Sequence, residues 1–187
     1  MTSSPSSGPG WYPWLKAAIF GLLAWNTAVY VFTGTASEAL DSVAWLTLLV
    51  AFELETGFRG RFAEGRAAGV LRAVRLAAAM ALVAAGIGYV RAGEWLDASN
   101  MGLWVAVVAL LELEVRYPAA VAARRRQFTA VAVTLYSSLA TLVLVWAWQG
   151  EWFDAYDAAL WLVAFATIEV DVLRIPLGAL AGRDART

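Results

Sequence analysis

Two stretches of this chain carry no charge at all. Residues 17–37 form 21 consecutive uncharged positions and residues 127–150 form 24. A helix of about 20 apolar residues spans the roughly 30 Å hydrocarbon core of a bilayer, so each stretch is long enough to cross a membrane. Burying two such helices on all sides inside a soluble fold of 187 residues is not feasible, because a chain this size has too little interior to hide them. Composition agrees: 61% of the residues are hydrophobic and 16% are charged, against roughly a quarter charged in soluble domains. The first run is longer than a signal-peptide core and has only Lys16 ahead of it, so it reads as a retained helix.

The chain repeats itself. A shift of 59 residues carries Gly34, Glu38, Asp41, Trp45, Glu53 and Glu55 onto Gly93, Asp97, Asn100, Trp104, Glu112 and Glu114. A further 57 carries them onto Gly150, Asp154, Asp157, Trp161, Glu169 and Asp171. Each copy reads as a hairpin: an odd helix (about 15–34, 72–92 and 128–149), a short turn with glycine, acids and aromatics, then an even helix (about 41–58, 100–117 and 157–174). Asp41, Asn100 and Asp157 are expected to cap the even helices, with Pro118 and Pro176 closing two of them. Trp45, Trp104 and Trp161, with Trp95, Trp146, Trp148 and Trp152, suggest an aromatic belt at one interface, and Trp11 and Trp14 suggest one at the other.

The expected fold is an all-α integral membrane protein, six transmembrane helices arranged as three tandem hairpins in a pseudo-threefold bundle. Residues 1–14 would be a disordered cytoplasmic tail, 15–176 the membrane domain with repeats at about 15–58, 72–117 and 128–174, and 177–187 a cytoplasmic tail. Of the 14 Lys and Arg residues only Arg91 falls on the turn side. The positive-inside rule therefore puts both termini in the cytoplasm of a cell with an inner (plasma) membrane of this kind.

Chemistry is narrowed by what is missing. There is neither Cys nor His, which removes disulfides, thiolate sites and the commonest general base. No nucleophile–base pair, phosphate loop or metal signature is present, so we expect no enzyme activity and no cofactor. A net charge of −1 implies no nucleic-acid partner.

The even helices end in paired acids: Glu53 and Glu55, Glu112 and Glu114, Glu169 and Asp171. From the expected caps to the first acid of each pair is about 12 residues, or roughly 18 Å. That places Glu53, Glu112 and Glu169 inside the hydrocarbon edge, at the unfavourable end of the helix dipole. Intramembrane charges pair with one another or face a polar cavity. Arg59, Arg72, Arg75, Arg116, Arg125 and Arg174 are the candidate partners. Acids two apart on a helix point about 200° away from each other, so one of a pair can meet a neighbouring helix while its mate faces elsewhere.

Two functions follow. Three inward carboxylates would make an acidic ring at the cytoplasmic mouth of a small cation channel or transporter, with oxygen ligands suited to protons, alkali ions, Mg²⁺ or Ca²⁺. Alternatively the acids and arginines form an ion-pair collar in a non-catalytic membrane scaffold or subunit. The turn-side acids, Glu38, Asp41, Asp97, Glu151, Asp154 and Asp157, read as caps and solvated groups. The segment FATIEVDVLRIP (Phe165 to Pro176) resembles the second helix of voltage-sensor domains over about ten residues. No helix carries arginines at every third position, so no function is carried over.

Overall fold

The computed structural model describes residues 12–57 and 65–167, and everything described is helix or short turn. The elements are α1 (Tyr12–Thr33), α2 (Ala36–Gly57), α3 (Gly65–Ala92), α4 (Trp95–Arg116), α5 (Pro118–Ala123), α6 (Arg125–Gln149) and α7, described over residues 152–167. Of the expected tail over residues 1–14, residues 1–11 lie outside the described residues while Tyr12, Pro13 and Trp14 open α1; residues 177–187 and Pro176 also lie outside the described residues. Among the described residues four helices, α1, α3, α4 and α6, are long and apolar enough to cross a membrane, where six were expected. The chain is all-α, and its long apolar helices are compatible with a multi-pass membrane protein.

Turn chemistry explains where the helices stop. Gly93 and Gly150 adopt φ of 80° and 87°, a left-handed conformation open to glycine without the Cβ clash of other residues. Each closes a Schellman motif. Gly93 N–H donates to Val90 O and Glu94 N–H to Tyr89 O, while Gly150 N–H donates to Ala147 O and Glu151 N–H to Trp146 O. The first turn is built differently, on a Thr-x-x-Glu capping box. Thr35 N–H donates to Glu38 Oε2 at 2.5 Å and Glu38 N–H to Thr35 Oγ1 at 3.3 Å.

These turns correct the expected helix starts. The even helices begin at 36, 95 and 152, five residues before Asp41, Asn100 and Asp157. Aspartate and asparagine are good caps, but Thr35 and the glycine turns already start the helix. Ala36 to Glu53 and Trp95 to Glu112 are each 17 residues apart, about 26 Å of helix rather than 18 Å. A membrane entered at the turns therefore meets these carboxylates near its far surface. The odd helices α3 and α6 also start early, because good helix formers, alanine and arginine in α3 and arginine and glutamine in α6, extend the helix beyond the apolar run.

The described chain falls into two compact units, and each is described by itself. Residues 24–138 make one unit, in which α2 packs on α3 and α3 on α4. The buried residues of α3 are Leu71, Ala78, Leu82, Ala85 and Tyr89, spaced by sevens, fours and threes like a coiled-coil seam. Small residues there bring backbones together: a Cβ on Gly88 would lie 2.1 Å from Ser37 Oγ. Trp45 and Trp104 are buried in this unit and so are packing residues, not part of an aromatic belt. Pro118 stands at the first position of α5, where its missing N–H is no loss.

The other unit is described over residues 12–23 and 139–167. Its buried side chains include Ile19, Leu23, Leu139 and Trp146, with Ala155, Ala158, Ala164 and Phe165 from α7. The rings of Trp161 and Phe165 lie 6.3 Å apart at 49°, a tilted pairing of the favoured kind.

Outward-facing positions are as apolar as the interior. Trp148 is 92% exposed, Phe32 85% and Leu144 71%. So many bare large side chains are out of place in water and fitting against acyl chains.

Candidate functional site

Helix ends of opposite character carry the polar side chains of the α2–α4 unit. At the connection end, α2 delivers Glu53 and Glu55 in its last turns and α3 delivers Arg72 and Arg75 in its second and third. Glu55 reaches across to α3: Arg75 Nη1 donates to Glu55 Oε2 at 2.9 Å. Glu53, about 200° away around the helix, is half-buried and engaged in an interaction of its own. On α4, Glu112 pairs within its own helix, accepting hydrogen bonds from the Arg116 guanidinium one turn on. Both pairs are open to their surroundings, with side-chain exposures of 49% and 41% for Arg75 and Glu55, and 67% and 50% for Arg116 and Glu112.

Other sequence candidates are placed but not joined. Glu114, Arg72 and Arg125 are exposed, and among the described residues none of the three has an ion-pair partner. Glu169, Asp171, Arg59 and Arg174 lie outside the described residues. Among the described residues no group of three or more acids is placed to hold a metal ion.

The turn end holds a cluster that sequence reasoning missed. Tyr89, on the last turn of α3, is only 3% exposed, and its hydroxyl donates to Asp41 Oδ2 of α2 at 3.3 Å, long for an O–H donor. Glu38 and Asp97 are close enough for their charges to act on the same hydroxyl. Asn100 of α4 presents a buried Oδ1 with no hydrogen-bond partner among the described residues. Three helices thus place polar groups at one level, a little over a turn in from the loops. Such a cluster can accept a proton or a hydrogen-bond donor, but it contains no nucleophile–base pair. The signal was in the sequence: Asp41 and Asn100 fall in matching columns, and the Thr35–Glu38 box and the Gly93 turn start their helices five residues earlier. Read as caps, they looked solvated.

No family model, curated protein or solved structure matches this chain.

Proposed function

We propose that this chain is a six-span membrane protein made of three tandem hairpins, with both termini on the arginine-rich side of an inner (plasma) membrane. Its role is that of a non-catalytic scaffold or subunit whose paired acids form an ion-pair collar with arginine. The single observation that carries the reading is the Arg75–Glu55 bond between α2 and α3. It commits a carboxylate of the repeated pair to a neighbouring helix, while Glu112 is held by Arg116 within α4 itself. The shared Schellman turns at Gly93 and Gly150 support the repeat. Because the pairs are half-exposed, each is worth about 0.2–1 kcal/mol, not the 3–5 kcal/mol of a buried pair broken on one side. The collar therefore sets orientation and register more than it adds stability.

The test is reconstitution into liposomes loaded with dyes for protons, K⁺ and Mg²⁺. The scaffold reading expects no flux above that of empty vesicles, and a measurable coupling between Glu55→Gln and Arg75→Gln in unfolding. Flux that disappears in a well-folded Glu53→Gln, Glu112→Gln, Glu169→Gln variant would overturn it in favour of an acidic cation path.

A further inference from the structure

Where α4 ends and α6 begins, the chain leaves a groove of about 310 Å³, lined by Leu110, Leu113, Val121, Phe128, Val131 and, at one end, Arg124. The arginine end and the apolar end are separated along the helix axes. Leu110 lies six residues before Arg116, and Val131 six after Arg125, so the groove runs about 9 Å away from the basic level. Arg124 lines its mouth and Arg125 and Arg126 follow it in the chain, all three exposed. Among the described residues no carboxylate is within ion-pair distance of any of them. Arg75 and Arg116 are paired with acids of the described residues, and these three are not.

We propose that this groove binds one anionic phospholipid, its phosphate on the Arg124–Arg126 run and the upper part of an acyl chain along Leu113, Val121 and Phe128. Charge complementarity selects the occupant. Arginine forks suit phosphate oxygens, and basic pockets between membrane helices on the cytoplasmic side recognise such headgroups. The apolar wall, continuous with the phosphate-facing end, requires a molecule with a tail. The short α5 (Pro118–Ala123), which carries no charge, lies beside the groove and contributes Val121 to its wall.

The inference rests on the membrane reading above but not on the collar. The test uses the full chain in mild detergent with equal amounts of phosphatidylglycerol and phosphatidylcholine of matched acyl chains, with bound lipid counted by native mass spectrometry. We expect phosphatidylglycerol to be retained at least fivefold over phosphatidylcholine. The Arg124→Gln, Arg125→Gln, Arg126→Gln variant should lose the preference, and the corresponding triple Lys variant should keep it. Val121→Trp, which fills the groove and leaves the charges, should lower retention of phosphatidylglycerol threefold or more. Equal retention of the two lipids by the unaltered chain overturns the proposal. So does displacement of the lipid by millimolar inorganic phosphate, which would mark a bare anion site. A chain that stays in solution without detergent fails the membrane reading itself, whereas a chain held in micelles but blind to headgroup fails only this inference.

Discussion

The two ends of the α2–α4 unit handle the same residue type in opposite ways. At the turn end, Asp41 accepts from the buried Tyr89 hydroxyl, and Asn100 carries a buried Oδ1 near the same level. At the connection end, Glu55 and Glu112 sit in the open with guanidinium partners. Burial raises the stakes of a polar contact, because an unmade bond leaves a desolvated group, whereas an exposed ion pair exchanges one hydrated state for another. The turn end should therefore hold the unit together, and the connection end should tune which way it sits and what it meets.

The widest separation should come from glycine. Gly88→Leu pushes into Ser37 across the α2–α3 contact, and we expect a loss of about 2–3 kcal/mol in reversible unfolding from mixed micelles. Gly69→Leu on the same helix near the connection end meets open space and should stay within about 0.5 kcal/mol of the unaltered chain. Equal losses would erase the distinction between the ends.

Tyrosine gives the next contrast. Tyr89→Phe removes the donor to Asp41 and should cost about 1–1.5 kcal/mol, while Tyr117→Phe, at an exposed position, should cost little in the same assay. A neutral Tyr89→Phe change would mean that the turn-end cluster contributes packing alone.

Smaller again is the bridge between helices. Glu55→Gln should cost about 0.5 kcal/mol, shrinking as salt is raised past a Debye length of about 8 Å, and most of it should vanish in the Arg75→Gln background. Least of all should be Glu112→Gln, about 0.3 kcal/mol, the usual size of a pair one turn apart on a helix surface. If Glu112→Gln proved more damaging than Tyr89→Phe, the ranking of the ends would be reversed.

Much of this was legible in the residues. The uncharged runs marked α1 and α6, and Gly93 and Gly150 marked where α3 and α6 end, because glycine there has a single backbone reason. Helix starts were harder: Asp41 and Asn100 have the chemistry of caps, and only the competing Thr35–Glu38 box and the Schellman turns decide against them. Partner choice was harder still. Arg72 and Arg75 are equally near in sequence, and the register of α2 against α3, set by Leu71, Ala78 and Tyr89 packing, gives Glu55 to Arg75. The burial of Trp45 and Trp104 was hidden for the same reason, since a tryptophan near a helix end suits an interface or a core equally well.

The proposed hairpins put the two ends on opposite sides of a membrane, and the absence of cysteine makes that directly measurable. Single changes Thr35→Cys, Glu94→Cys and Glu151→Cys place a thiol in each turn, and Ala120→Cys places one in α5. In intact cells treated with a membrane-impermeant maleimide, we expect all three turn thiols to react and the Ala120→Cys thiol to react only after permeabilisation. Labelling of Ala120→Cys in intact cells, or protection of any one turn thiol that reacts once the cells are opened, would contradict the hairpin arrangement.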